Sequence, residues 1–382
     1  MTDSCRLDTH LSRGDQLGAI RLFLAFAVAI DHLRFWILAP AGLGIPPISE
    51  LGVNAGFAVM FFYVISGFLI SFVLSKKYSP GPTGTLRFYE SRFIRIYSLY
   101  WPIVSLALIF MPGMRDSFVA VAFPDKVTNL LLLGMDWRLA FADYPDPHWD
   151  AALPLFRQAW TLGAELTFYL LGPKLLRSWP LMLTALAGSL VVRAYMVANF
   201  GFNQILTYYL WPSTLVFFLL GSAAHRASAS LQWLCDPLLG ALLLSCAVLT
   251  LAAGPAAEWD SLRFWVSVLC LACALPGIFR GTHQSRFLNT IGDLSYPVYL
   301  LHLLVIMAMS ELGVFGALPA SGIIVSLVFL TVTTCGAIVT HWILERPTAA
   351  AMRLCLKALW CLRVGTDVVP DRPDCNPVDF KR

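Results

Sequence analysis

One apolar stretch near the N-terminus contains the residues best suited to chemistry. The stretch 19–36 is almost entirely apolar, yet it holds Arg21, Asp31 and His32. In an α-helix the separation of eleven residues between Arg21 and His32 is close to three turns. Both side chains then face the same way, about 16 Å apart along the axis. Ionisable groups at such depths in a bilayer are costly, tend to face the protein interior and often mark a functional path.

His32 is a candidate general base. A neutral imidazole can accept a proton from a hydroxyl group, and a carboxylate such as that of Asp31 could tune it. Asp31, however, lies about 100° around the helix from His32. The alternative is that His32 only satisfies a hydrogen bond between two helices. Because Arg21 shares its helix face, we favour a functional role.

A pair of arginines forms the second constellation, in RFYESRFIRIYSLYWP. Arg92 and Arg95 stand one turn apart at the start of a predicted helix, and two guanidinium groups on one face suit phosphate or carboxylate groups. The alternative is that they anchor the helix at the cytoplasmic surface, which any basic residue would do.

Glu165 is a lone carboxylate in the apolar segment QAWTLGAELTFYLLGP. A carboxylate in such a segment needs a cation, a hydrogen bond or a raised pKa. It could simply neutralise Arg21 or Arg193 across a helix interface, but a functional role is favoured.

His302 and Glu345 are further supporting candidates. His302 lies inside the predicted helix of GDLSYPVYLLHLL, where a functional and a structural role are equally open. In HWILERP, the sequence Glu345-Arg346-Pro347 predicts the end of a helix, so we expect Glu345 to be mainly structural. No metal site is predicted.

The composition predicts an all-α polytopic membrane protein. Of the 382 residues, 58% are hydrophobic and 13% are charged, whereas a soluble domain has about 25% charged residues. The small net charge of +4 gives no support for nucleic-acid binding. About ten apolar segments are long enough to span a bilayer. They lie at approximately 17–38, 52–75, 92–111, 158–176, 179–199, 205–224, 236–254, 261–279, 293–312 and 319–343.

Lys and Arg are concentrated in alternate loops, which predicts cytoplasmic N- and C-termini. We expect a membrane domain at 1–350 and a cytoplasmic tail at 351–382, with a short basic interfacial helix over 352–364 and disorder beyond it. The long loop 112–157 should then lie outside. Within it, 127–135 predicts an interfacial or re-entrant helix, and DYPDPHWD is expected near the outer mouth.

Six segments together resemble, in order and spacing, the membrane-bound acyltransferase-3 family of bacterial O-acyltransferases. They are IRLFLAFAVAIDHL, GFAVMFFYVISGFLISFVL, FYESRFIRIYSLYWP, AWTLGAELTFYLLGP, IGDLSYPVYLLHLL and HWILERP. The resemblance covers about residues 15–350. Some relatives carry a C-terminal hydrolase-like periplasmic domain, and we expect no second catalytic unit here.

The resemblance assigns roles to five of the candidates. Arg21 and His32 match the family's first-helix Arg and His. Arg92 and Arg95 match its cytoplasmic Arg-x-x-Arg, and Glu165 matches the Glu of its Trp-Ser-Leu-x-x-Glu-like motif.

Two residues depart from that last motif. Thr161 stands where the family usually has Ser, and Gly163 stands where Ser is frequent. A hydroxyl role at these positions is therefore in doubt.

The resemblance also implies the reaction. An acyl group, usually acetyl from acetyl-CoA, would pass to a sugar hydroxyl of a polysaccharide, an O-antigen or a related glycan in the bacterial cytoplasmic (inner) membrane. The expected partners are acyl-CoA as co-substrate, a glycan or lipid-linked sugar acceptor and membrane lipid, with no bound cofactor. Two alternatives remain, a transporter that uses the Arg, His and Glu residues as a proton relay, and a scaffold or flippase-like partner in glycan assembly.

Overall fold

The computed structural model describes residues 17–44, 55–141, 155–200, 205–252, 260–282 and 285–364, and their regular structure is helical throughout. The helices are α1 (Gly18–Leu33), α2 (Ala55–Lys76), α3 (Pro82–Phe110), α4 (Pro112–Ala120), α5 (Phe123–Leu131), α6 (Met135–Phe141), α7 (Trp160–Leu175), α8 (Trp179–Phe200), α9 (Trp211–Ala227), α10 (Pro237–Ala252), α11 (Leu262–Thr282), α12 (Arg286–Gly292), α13 (Ser295–Glu311), α14 (Val314–Ala317), α15 (Gly322–Thr340) and α16 (Arg346–Val364). Three π-helical turns occur, at Arg34–Leu38, Ile205–Tyr209 and His341–Glu345.

The apolar helices confirm an all-α polytopic membrane protein. Within the described residues, six helical segments are long and apolar enough to cross a membrane. These are α2, α3, α8, α11, the segment from Phe287 through α13, and the segment from α15 into α16. Helices also occupy the other four predicted segments, as α1, α7, α9 and α10, but these are shorter. Ten crossings and cytoplasmic termini therefore stay predictions.

Close contact between α2 and α9 forms the centre of the bundle. A Cβ atom on Gly67 would lie 1.8 Å from the carbonyl oxygen of Phe218, and one on Gly221 would lie 1.8 Å from that of Val64. Small residues let membrane helices approach to backbone contact in this way. On the other side of α2, α1 packs between α2 and α13, so one face of α1 is enclosed by protein.

The predicted membrane-associated element at 127–135 is a helical hairpin held by α3. α5 ends at Leu131, and Leu132 turns the chain into α6 with a positive φ of 64°. The last carbonyl groups of a helix have no partner within it. Here side chains of α3 supply the missing donors. The Trp101 indole donates to the carbonyl of Leu130 at 3.0 Å, and the Tyr97 hydroxyl donates to the carbonyl of Leu131. The segment DYPDPHWD lies outside the described residues.

The predicted helix end at Glu345-Arg346-Pro347 is wrong. The chain passes from α15 through the π turn His341–Glu345 directly into α16. Pro347 is the second residue of α16, directly after the π turn in which the N–H of Arg346 donates to the carbonyl of His341. α16 contains the predicted helix at 352–364, and the predicted domain boundary at 350/351 falls inside it. The tail from Gly365 lies outside the described residues.

Candidate active site

Two cavities lie within the bundle. The inner cavity, of about 60 Å³, lies between α1, α2, α7 and α13. Its lining includes Arg21, Tyr63, Ser66, Thr161, Glu165, Ser295, Tyr296 and Tyr299. The basic cavity, of about 450 Å³, lies at the end of the bundle where α3 begins, between α3 and α16. Arg92, Arg95 and Glu345 belong to its lining.

Glu165 and Arg21 both line the inner cavity. The Glu165 Oε1 atom accepts hydrogen bonds from Ser66 Oγ and from the Tyr169 hydroxyl, both at 2.5 Å. Arg193 does not neutralise Glu165, because its guanidinium binds both carboxylate oxygens of Asp260, at 2.5 and 2.9 Å. The carboxylate of Glu165 is thus held by hydroxyl groups beside Arg21.

His32 and His302, which are not among the residues that line the two cavities, meet edge to edge with their rings nearly in one plane. Their ring planes are 5° apart with centroids at 5.0 Å, and His32 Nδ1 lies 2.8 Å from His302 Nε2. His302 is fully buried, and its Nδ1 donates to the carbonyl oxygen of Tyr299 at 2.7 Å. Because a carbonyl oxygen only accepts, the proton of a neutral His302 lies on Nδ1 and its Nε2 is left as an acceptor.

The carboxylate of Asp31 connects α1 to the start of α2, and its hydrogen bonds are not to His32. Its Oδ1 accepts from Arg34 Nη2 at 2.9 Å, and its Oδ2 accepts the backbone N–H of Ala55 at 3.0 Å. Ala55 is the first residue of α2. A carboxylate there satisfies an otherwise unpaired N–H and complements the positive end of the helix dipole.

Arg92 and Arg95 stand between the two cavities. The Arg92 guanidinium lies over the Tyr169 ring at 5.7 Å, and the Arg95 guanidinium lies over the Tyr296 ring at 5.7 Å. Tyr169 binds Glu165, and Tyr296 lines the inner cavity. Each arginine of the predicted pair therefore faces the basic cavity and contacts an aromatic ring that reaches toward the inner one.

Glu345 holds one of these arginines in place. Its Oε1 lies 3.5 Å from Arg95 Nη1, and its Oε2 lies 2.7 Å from His341 Nδ1. His341 and Glu345 are the two ends of a π turn. This geometry agrees with the mainly structural role expected for Glu345.

The two departures from the family motif have different consequences. Thr161 keeps a hydroxyl in the site, with Oγ1 at 2.7 Å from the Tyr299 hydroxyl and at 3.1 Å from the carbonyl of Gln158, to which it donates. At Gly163 a Cβ atom would lie 2.3 Å from the carbonyl oxygen of Leu132. A serine does not fit there, because the turn between α5 and α6 packs directly on α7.

Sequence reasoning missed the hydroxyl groups that line the inner cavity. Tyr63 and Ser295 are buried, and their hydroxyl oxygens have no hydrogen-bond partner within the described part of the chain. A spacing of three residues places Tyr296, Tyr299 and His302 on one face of α13, and this spacing is the signal that was available. Tyr and Ser are too common in apolar helices to be selected without it.

A scan against protein families identifies an acyltransferase domain at residues 15–342. The match ends just before α16. Two curated proteins are similar to most of this chain. Nodulation protein 10 of Rhizobium leguminosarum bv. viciae is 26% identical over 319 residues, which cover 78% of this chain and 84% of the relative.

The other relative is the exopolysaccharide production protein ExoZ of Rhizobium meliloti (strain 1021), which is 29% identical over 310 residues. The alignment covers 75% of this chain and 87% of ExoZ. No solved structure gives a significant match to the chain. From the family match over most of its length, the chain belongs to the acyltransferase-3 family and is a membrane-bound O-acyltransferase.

Proposed function

We propose that this protein transfers an acyl group, with acetyl as the expected group, from acyl-CoA on the cytoplasmic side to a sugar hydroxyl of a cell-surface glycan. The observation that carries the proposal is that Arg92 and Arg95, which line the basic cavity, contact the rings of Tyr169 and Tyr296 at the inner cavity. The name of one relative, an exopolysaccharide production protein, supports a glycan acceptor. The bacterial cytoplasmic membrane is the expected location.

The two cavities suit the two ends of an acyl-CoA molecule. The phosphates of the nucleotide bind at Arg92 and Arg95, whose guanidinium groups can form charge-assisted hydrogen bonds. The Arg92 Nε is buried and has no hydrogen-bond partner among the described residues, which fits such a role. The thioester arm then passes Arg21 into the inner cavity, where the hydroxyls of Tyr63 and Ser295 are available to its amide groups.

His32 acts as the general base in the orientation that His302 gives it. With Nε2 of a neutral His302 as the acceptor, His32 Nδ1 donates the hydrogen bond between the rings. The lone pair of His32 is then on Nε2, which is free to take a proton from a hydroxyl group. His302 is thus a positioning residue that selects the tautomer, as the carboxylate does in a Ser-His-Asp triad.

Transfer needs no covalent acyl-enzyme. As His32 Nε2 takes the proton, the sugar oxygen attacks the thioester carbonyl carbon and forms a tetrahedral intermediate. The carbon–sulfur bond then breaks, and the CoA thiolate leaves and takes the proton from His32. The products are the sugar ester and free CoA, and His32 is again neutral.

The test is the replacement His32→Ala in a strain whose glycan O-acylation is measured by NMR of the purified polysaccharide. We expect the acyl signal to disappear while the amount of protein in the membrane stays normal. Undiminished acylation would rule out the base role. The exposed Lys174, which lines neither cavity, gives the matched control Lys174→Ala, which should acylate normally.

The arginine pair is tested separately in membranes with labelled acyl-CoA. Replacing Arg92 and Arg95 with Ala should raise the donor concentration needed for half-maximal acylation. An unchanged dependence on donor concentration would show that the pair only anchors the helix.

A further inference from the structure

α16 forms one wall of the basic cavity, although it lies beyond the end of the family match at residue 342. The residues of α16 that line the cavity recur at intervals of three or four and so share one helix face. They are Ala349, Arg353, Leu356, Lys357 and Trp360. Leu354 and Leu359, which do not line it, are 52% and 60% exposed. The helix therefore presents one face to the cavity and exposes Leu354 and Leu359 on the two sides of that face.

The charge of the cavity depends on this wall. Six cationic side chains line the cavity, against the two carboxylates of Glu90 and Glu345. The cations are Lys77, Arg87, Arg92, Arg95, Arg353 and Lys357. Arg95 already has Glu345 within ion-pair distance. A concave site with an excess of positive charge suits a ligand with several phosphate groups.

Trp360 gives the same wall an aromatic surface that is fixed in place. Its indole Nε1 donates a hydrogen bond to Glu90 Oε1 of α3 at 2.5 Å, which joins the far part of α16 to the opposite wall. A fixed aromatic ring beside cationic groups is the arrangement on which nucleobases stack.

We propose that α16 is a nucleotide-binding element of this acyltransferase. Arg353 and Lys357 bind the phosphates of the CoA nucleotide from the side opposite Arg92, and the adenine ring stacks on Trp360. This inference rests on the proposed function in taking acyl-CoA as the donor. It adds a donor subsite outside the matched acyltransferase domain.

The experiment is direct binding by calorimetry, with the full chain in nanodiscs of phosphatidylcholine and without any acceptor. For the double variant Arg353→Ala/Lys357→Ala we expect the Kd for acetyl-CoA to rise roughly 10- to 100-fold, since each lost charge-assisted contact weakens binding by about tenfold. Acetyl-pantetheine lacks the nucleotide, so its Kd should not change. If the double variant binds acetyl-CoA as tightly as the unmodified protein, the proposal is wrong.

The controls separate binding by α16 from charge alone. Lys174→Ala removes a cation from the same end of the bundle and should leave the Kd for acetyl-CoA unchanged. Trp360→Leu should raise this Kd several-fold, whereas Trp360→Phe keeps a ring for stacking and should restore most of the affinity. Equal weakening by Lys174→Ala and the double variant would overturn the proposal.

A basic helix at a membrane surface can also bind anionic lipid headgroups. The measurements are therefore repeated in nanodiscs that contain phosphatidylglycerol. If the double variant weakens acetyl-CoA binding only there, the helix recognises lipid, and the nucleotide subsite is refuted. If the unmodified protein binds acetyl-CoA no better than acetyl-pantetheine, the nucleotide is not recognised and the subsite on α16 is refuted. If it binds neither compound, acyl-CoA is not the donor, and the failure lies in the proposed function.

Discussion

The hydrogen bond between His32 and His302 is the contact on which the proposed base depends. His302→Leu removes the acceptor for His32 Nδ1, so we expect kcat to fall by about 100-fold or more while KM for the acyl donor stays unchanged. His302→Gln retains an oxygen that can accept, and it should recover much of the rate. Steady-state kinetics in membranes provide the measurement.

A double-mutant cycle tells positioning from a separate structural role. If His302 acts only through His32, then His302→Leu costs nothing further in the His32→Ala background. A further loss of rate there, with normal protein levels, would contradict positioning.

At Gly163 this chain lacks the space for the serine that is frequent at this position in its family. Restoring a serine with Gly163→Ser places a Cβ 2.3 Å from the Leu132 carbonyl, so backbone must shift. We expect a loss of about 1–3 kcal/mol in unfolding free energy, typical of overpacking, and a lower thermal midpoint in detergent. Gly188→Ser on α8 is the control, because a Cβ there meets nothing within 4 Å. Equal midpoints for the two variants would show that the turn adapts.

At this scale the sequence predicts the charged members of the site better than the neutral ones. Arg21, His32 and Glu165 were found because an ionisable group in an apolar segment has a cost that only a role or a partner explains. Tyr63 and Ser66 carry no such cost, so their part in the inner cavity became visible only in three dimensions. Asp31 was one carboxylate that could tune His32, and the structure adds hydrogen bonds from its carboxylate to Arg34 and Ala55.

Among the elements, helix identity was predictable and helix ends were not. Apolar length located a helix in each of the ten segments. α3, however, begins at Pro82 and not near 92, because its first three turns include Arg87 and Glu90, which line the basic cavity and break the apolar pattern. The continuation of α15 into α16 was missed for a different reason. A π turn has no simple sequence signal. Pro347 lies directly after this one, as the second residue of α16.

The short helix α6 contains a buried acid whose ionisation should affect stability. Burial raises the pKa of Asp136 from 3.8 to about 6, and the backbone amides of Asp136 and Trp137 offset this only in part. Between about pH 4 and 6 the folded protein therefore holds a proton that the unfolded chain releases. Stability falls as the pH rises through this window, by up to about 3 kcal/mol.

Asp136→Asn removes this titration. The variant should have a higher thermal midpoint than the unmodified protein at pH 7.5, and the difference should shrink as the pH falls from about 6 toward 4. Asp116→Asn on α4 is the control, because Asp116 is exposed and its replacement should shift the midpoint equally at both pH values. A difference for Asp136→Asn that does not depend on pH would contradict the raised pKa.

For the whole molecule, the predicted orientation places the basic cavity in the cytoplasm. It can be tested with single cysteines in a chain whose nine native cysteines are replaced. Lys174→Cys lies at the basic end and Phe110→Cys at the other end of α3, and both positions are exposed. In intact spheroplasts, an impermeant maleimide should label only Phe110→Cys. Labelling of Lys174→Cys alone would mean that the protein is inserted the other way round.

The unequal size of the two cavities sets what can move through the protein. The inner cavity, at about 60 Å³, is much smaller than the basic cavity, at about 450 Å³. The narrow arm of acyl-CoA can enter the inner cavity, but its purine nucleotide is too large to do so. On the proposed function, spent CoA therefore backs out the way it entered. The sugar ester forms on the outer side, and the cell loses no CoA in the reaction.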